Sequence, residues 1–98
     1  MRPAIPSFTC YCNRTKKENA IRLDMGTGLI LYYSYETVIG FTFEDETVVR
    51  ENDWGATTGK HMNAIGVPAS KRVRSEIFED ALAYALERHS DEPTGMNL

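Results

Sequence analysis

The fold is decided by residues 29–43, LILYYSYETVIGFTF. Residues 29–35 are a run of aliphatic and aromatic residues, which predicts a β-strand with Leu29 and Leu31 on one face and Ser34 on the other. This is the strongest β signal in the chain, and every other predicted element is arranged around it.

The segment 37–43 follows after a tight connection and predicts a second strand, on which Ile39, Phe41 and Phe43 are expected to line one face. Shorter strand-like segments precede and follow this pair at residues 21–23 and 47–50. Together they predict an antiparallel meander of three to five strands, with an apolar face that needs a cover.

Two helices are expected to supply that cover. Thr57 or Thr58 is a plausible N-cap for a short helix over about residues 58–65, which Gly66 would end. Ser70 is expected to cap a longer C-terminal helix that runs to about Glu87. Its apolar stripe would consist of Val73, Ile77, Phe78, Ala81, Leu82 and Ala85. The predicted fold class is therefore α+β.

Length and composition narrow the class of protein. The 98 residues are 42% hydrophobic and 26% charged, which predicts a single globular domain over residues 1–98. Residues 1–9 are interpreted as an extended lead-in and 89–98 as a polar tail. A domain of this size buries one small core, which favours surface recognition over an enclosed active site, so we expect no enzymatic activity.

The sequence also bears on localisation and on metal binding. No apolar window is long enough to span a bilayer and the N-terminus lacks the apolar core of a signal peptide, so a cytoplasmic protein is expected. Cys10 and Cys12 are separated by one residue, unlike the spacing of zinc knuckles, and neither a metal nor a cofactor is predicted.

Charge is distributed in blocks along a chain whose net charge is −3. Residues 14–22 and 71–74 are basic, whereas residues 44–53 are acidic. Alternating blocks of this kind argue against a strongly basic nucleic-acid-binding protein and against a wholesale acidic mimic of DNA.

The run WGATTGKHMN, residues 54–63, is the main candidate site. A structural interpretation has Trp54 closing the end of the sheet and Thr57 capping a helix. The functional interpretation starts from Lys60, His61 and Asn63, which those structural roles do not require. Amides at the helix N-terminus, together with threonine hydroxyls, could bind an anion. The first glycine of a phosphate loop is missing, which excludes an NTPase.

Two further groups complete the predicted binding surface. Basic residues at the start of the long helix oppose its dipole and could mark an anionic partner, and tyrosines on an exposed sheet face can anchor a protein or stack on bases. The predicted binding residues are Lys60, His61, Asn63, Lys71, Arg72, Arg74, Tyr32, Tyr33 and Tyr35.

Three segments resemble a group of small uncharacterised bacteriophage proteins. They are Asn13 to Thr15, Tyr35 to Ile39, and a Trp-x-x-Thr-Thr-x-Lys/Arg-x-x-Asn junction formed by Trp54, Thr57, Thr58, Lys60 and Asn63. The resemblance covers roughly residues 13–65 and implies a phage product that acts in the bacterial cytoplasm.

The resemblance favours a non-enzymatic accessory protein that binds a host protein or ribonucleoprotein complex and inhibits or redirects it, as anti-CRISPR and other anti-defence proteins do. The alternative is a small nucleic-acid-binding accessory or regulatory protein that uses the basic patches at 14–17 and 71–74 around an aromatic sheet face. A homodimer through an unpaired sheet edge is left open.

Overall fold

The computed structural model describes residues 5–90 and has an α+β architecture. The strands are β1 (Ser7–Cys10), β2 (Ile21–Asp24), β3 (Leu29–Ser34), β4 (Thr37–Phe43) and β5 (Glu46–Val49). The helices are α1 (Ala56–Ile65) and α2 (Ser75–Ser90), with 3₁₀ turns at Lys17–Asn19 and Ala69–Lys71. All neighbouring strands are antiparallel and follow chain order, which confirms the predicted meander. Helix α2 confirms the predicted long C-terminal helix.

The two helices cover opposite faces of the sheet. Val48 packs in a cluster with Phe78 of α2, whereas the next residue, Val49, packs with Met62 of α1. Since successive side chains of a strand point to opposite faces, α1 and α2 lie on different sides. The sheet is therefore the middle of three layers, and neither face is left entirely uncovered.

A β-bulge between β3 and β4 decides which face each apolar residue joins. Tyr32 pairs with Gly40 but Tyr33 pairs with Val38, so Ile39 is an extra residue without a partner opposite it. A bulge of this kind breaks the period-two alternation of the strand that carries it.

The bulge overturns the expectation that Ile39, Phe41 and Phe43 line one face. Ile39 is fully buried against Met62 on the α1 side, whereas Phe41 and Phe43 pack in the α2 cluster. The rings of Phe41 and Phe78 lie 5.7 Å apart. The inserted residue thus provides apolar anchors for both helices from one strand.

The two edges of the sheet differ. At the β5 edge, Val73 forms a parallel bridge with Arg50, and its amide donates to the Val49 carbonyl at 2.9 Å. At the other edge, β1 forms within what was expected to be an extended lead-in, and all four of its residues are exposed. Residues 1–4 of that lead-in lie outside the described residues.

The predicted starts of both helices were wrong. Helix α1 begins at Ala56, two residues early, with Gly55 rather than a threonine at the N-cap position. Helix α2 begins at Ser75, because the chain around Ser70 forms a 3₁₀ turn and then extends alongside β5. The predicted end of α1 at Gly66 is confirmed by its left-handed φ of 100°.

The late start of α2 changes two other predictions. Lys71 and Arg72 precede the helix, so their charges do not oppose its first turn as the sequence suggested. Residues 89 and 90 belong to α2 rather than to a tail, and residues 91–98 of the predicted tail lie outside the described residues.

Phe78 and Ile77 are adjacent on α2 but differ in burial, with 1% and 48% of their surface exposed. We expect Phe78→Ala to lower the free energy of unfolding by about 3–5 kcal/mol, because removal of the buried ring leaves a cavity in the core. Ile77→Ala, the matched control, is expected to cost less than about 1 kcal/mol. Urea denaturation measures both, and equal losses would contradict the assigned packing of α2.

Candidate functional site

A buried hydrogen-bond network centred on His61 joins three separate parts of the chain. The His61 Nδ1 atom lies 2.7 Å from Ser34 Oγ, and its Nε2 atom lies 2.8 Å from Thr15 Oγ1. The Ser34 hydroxyl also contacts Thr58 Oγ1 at 3.0 Å. His61 is fully buried, so both ring nitrogens are satisfied by protein hydroxyls rather than by solvent.

Each partner comes from one of the segments that the sequence analysis singled out. Thr15 belongs to the loop after β1, Ser34 ends β3, and Thr58 lies one turn before His61 on α1. The imidazole therefore fastens the first loop and helix α1 to the end of the central strand.

Aromatic rings enclose the imidazole on two sides. The ring centroids of Tyr11 and Tyr35 lie 6.2 Å and 6.0 Å from that of His61. The Tyr11 hydroxyl donates to the Tyr33 carbonyl at 2.8 Å. Burial, followed by the nearby Cys12 and Cys10 thiols, raises the pKa of Tyr11, so it acts as a neutral donor.

Burial lowers the pKa of His61 below its ordinary value of 6.5, because the charged imidazolium loses its hydration. A neutral imidazole has one N–H donor and one acceptor nitrogen, so one of its two hydroxyl partners, Thr15 or Ser34, accepts from the ring and the other donates to it. The arrangement therefore favours a neutral imidazole held in a single tautomer.

The contact between Ser34 and His61 resembles the first half of a nucleophilic pair, but its surroundings differ from one. The far nitrogen of the imidazole meets a threonine hydroxyl, where a triad would place a carboxylate. Ser34 is only 3% exposed, which leaves its hydroxyl little access to a substrate. The geometry suits a structural network better than a catalytic one.

A small cleft of about 130 Å³ lies over the network. Ser34 and Thr58 form part of its lining, and the exposed rings of Tyr35 and Trp54 rim it. Tyr35 has a left-handed φ of 57°, which is strained for a non-glycine residue. Its backbone amide donates to the Asn19 carbonyl at 2.8 Å, which helps to hold the turn.

Trp54 connects this cleft to a second feature, the buried guanidinium of Arg50. The guanidinium carbon lies 4.7 Å from the Trp54 ring centroid and 5.6 Å from that of Phe78. Arg50 is 8% exposed, and its acidic contacts are Asp53 at 3.5 Å and Glu79 at 3.7 Å. Within residues 5–90, its Nε atom has no hydrogen-bond partner.

The structure separates the predicted binding residues. His61 lies in the interior instead of on a contact surface, and the hydroxyl of Thr58 is engaged by Ser34 rather than free for an anion. Lys60 is exposed on α1, and its carbonyl lies 3.9 Å from the Cys12 sulfur. Asn63 is exposed and accepts from Arg72 Nη2 at 3.0 Å.

The basic cluster does not form one patch. Lys71 and Arg74 are exposed, whereas Arg72 is half-buried and its Nε atom donates to the Val67 carbonyl at 3.2 Å. Arg72 thus fastens the C-terminal end of α1 to the connection that follows it.

The three tyrosines also divide. Tyr32 is half-buried and packs edge-on against Tyr11 at 5.3 Å, while Tyr33 joins the α2 cluster. Tyr35 is 52% exposed and is the one of the three that rims the cleft. No continuous tyrosine face is presented to solvent by this part of the sheet.

Sequence reasoning missed several residues of this region. The network partners Thr15 and Ser34, the buried Arg50 and the exposed Trp54 ring were not among the predicted site residues. The three segments of the resemblance contained a hint of the hydrogen-bond network, since they include Thr15 and Thr58. Hydroxyl residues in three segments that share one histidine could have suggested the network.

Fold and site together define an α+β domain whose five-stranded antiparallel sheet carries an aromatic-rimmed cleft over a buried histidine. The chain belongs to the DUF8033 family, a family of unknown function whose model matches residues 7–80. That match spans the whole sheet and α1. No curated protein and no solved structure matches the chain.

Two further observations concern the described part of the chain. Between residues 5 and 90, no group of three or more His, Cys, Asp or Glu side chains is arranged to hold a metal ion. Over the same residues, neither helix is long and apolar enough to cross a membrane.

The buried imidazole makes stability depend on pH. Because the pKa of His61 is lower in the folded protein, the unfolded chain binds a proton more readily. The neutral His61 therefore contributes its full stability above pH 6.5, and the free energy of unfolding declines as the pH falls below that value. We expect urea denaturation between about pH 7.5 and pH 5.5 to show this decline.

A His61→Gln variant should show a smaller decline over that range, since glutamine does not titrate. His89→Gln is the matched control, because His89 also accepts or donates a hydrogen bond, to Thr27 Oγ1 at 2.8 Å, but is only half-buried. A decline that is unchanged in His61→Gln would contradict the burial of a neutral imidazole.

Proposed function

We propose that this chain is a non-enzymatic binding protein that recognises a host protein or ribonucleoprotein through the cleft between Tyr35 and Trp54. The observation that carries the proposal is the pair of exposed aromatic rings, 52% and 47% exposed, on the rim of a cleft with a rigid base. Tyrosine and tryptophan are the residues most enriched at the energetic centres of protein interfaces.

The base of the cleft supports this use of the rings. Ser34 and Thr58 are buried and hydrogen-bonded to each other, and Ser34 is fixed again by His61. The strained turn at Tyr35 is held in part by the hydrogen bond from its amide to the Asn19 carbonyl. A rim that is ordered before binding loses less conformational entropy when a partner docks.

The biological setting belongs to the same proposal. The resemblance at Asn13–Thr15 and at the Trp54 junction supports a bacteriophage accessory protein in the bacterial cytoplasm. The action that fits a non-catalytic protein in that setting is to occupy a host defence complex and to inhibit or redirect it.

Nucleic acid is the second candidate ligand. An open cleft of about 360 Å³ is lined in part by Arg14, Lys17 and Tyr11, a combination that could contact a phosphate backbone and a base. The sheet face that this reading requires is less available, because Tyr32 packs against Tyr11 and is half-buried. The geometry therefore favours a protein partner.

The test is capture of a host partner from nuclease-treated lysate by tagged wild-type protein and by the double variant Tyr35→Ala with Trp54→Ala. If the two rings are interface anchors, we expect the double variant to lose more than about tenfold in affinity for the captured partner. Circular dichroism checks that it still folds.

Tyr84→Ala is the matched control, since Tyr84 is 55% exposed on α2, away from the cleft. It should retain the partner. Equal loss in the control would contradict the assignment of the cleft, and loss of capture on nuclease treatment, together with steeply salt-dependent oligonucleotide binding, would favour the second candidate.

A further inference from the structure

We infer that the partner of the cleft inserts a segment that carries positive charge and aliphatic side chains, which lies in a groove between β4 and α2. This inference rests on the proposed function and specifies the chemistry of the partner. The groove, named here the Glu36 groove, has a volume of about 430 Å³. Its rim includes Glu36 and Glu79, and its floor includes Val38, Phe78, Leu82 and Leu86.

The Glu36 groove lies on the α2 side of the sheet and meets the aromatic cleft, which lies on the α1 side, at the start of β4. Thr37 lines both cavities, and Trp54 on the cleft rim stacks on Arg50, which lines the groove. A segment anchored between Tyr35 and Trp54 would therefore meet the groove next. Two cavities that share a lining residue at the start of β4, one on each face of the sheet, suit an extended segment that passes around the end of this strand better than a compact small molecule.

The charge that the groove presents to solvent is negative. Of the two carboxylates that line it, the Glu79 side chain is 72% exposed and Glu36 is exposed as well. The guanidinium of Arg50, which also lines the groove, is buried and already lies within 4 Å of Asp53 and Glu79. An approaching lysine or arginine is attracted by these carboxylates, whereas a phosphate backbone is repelled.

The apolar floor of the groove is the reason that the partner segment is expected to carry aliphatic side chains. Leu86 is 40% exposed, and Val38 and Leu82 are half-buried along the groove. Aliphatic side chains that cover these residues would remove apolar surface from water, at about 25 cal/mol for each Å². Charge selects a basic segment over an acidic one, the apolar contacts hold it, and the position next to the aromatic cleft favours this groove.

The arrangement offers an internal comparison on the other flank of α2. A second groove there has Glu44 and Glu46 on its rim, with Phe43, Val48 and Tyr84 among its lining residues. It is also acidic and apolar, but it shares no lining residue with the aromatic cleft. Its two glutamates therefore carry the same charge as those of the Glu36 groove but do not lie next to the aromatic cleft.

Fluorescence anisotropy tests the inference with two labelled peptides of equal length, one with alternating lysine and leucine and one with alternating glutamate and leucine. We expect the lysine peptide to bind wild-type protein and the glutamate peptide not to bind. The double variant Glu36→Gln with Glu79→Gln should weaken lysine-peptide binding about tenfold.

The control is Glu44→Gln with Glu46→Gln, which changes the net charge by the same amount and should alter binding less than about twofold. Equal weakening in both double variants, binding of the glutamate peptide, or no binding of the lysine peptide would overturn the inference. If Tyr35 and Trp54 are still required for host-partner capture in that case, the proposed function stands and only the assigned partner chemistry fails.

Discussion

The pair of hydrogen bonds at the His61 ring is the interaction on which the candidate site depends. Through Thr15 and Ser34 it ties the loop after β1 to the end of the central strand, and helix α1 carries the ring between them. A buried imidazole that lost either partner would leave a polar nitrogen unsatisfied, at a cost of about 1–3 kcal/mol. Ser34 and Thr58, which line the cleft above, have their hydroxyls hydrogen-bonded within this network.

The network can form because α1 and α2 are on opposite faces of the sheet. The bulge at Ile39 turns that side chain toward Met62 of α1 while Phe41 and Phe43 remain available to α2. Gly40 assists, since a Cβ at this position would lie 3.2 Å from the Ile65 side chain. In a regular β4, Ile39 would share the α2 side with Phe41 and Phe43, and the smaller Val38 would face α1 in its place.

Much of the fold could be predicted from local pattern, and most of the site could not. The strands at residues 29–34 and 37–43 and the end of α1 at Gly66 follow from alternation and from a glycine preference. The bulge leaves no mark in that alternation, because Ile39 is as apolar as its neighbours. The sequence suggested that His61 lies at the surface, because the hydroxyls that hydrogen-bond its ring nitrogens are 27 and 46 residues away along the chain.

The central claim is that His61 is a buried, neutral imidazole whose two nitrogens have different hydrogen-bond roles. Nitrogen-15 NMR of the imidazole across about pH 7.5 to pH 5.5 tests it most directly. The account predicts one neutral tautomer that persists below pH 6.5. An imidazole that titrates at or above pH 6.5, or that averages between the two tautomers as a solvent-exposed ring does, would contradict it.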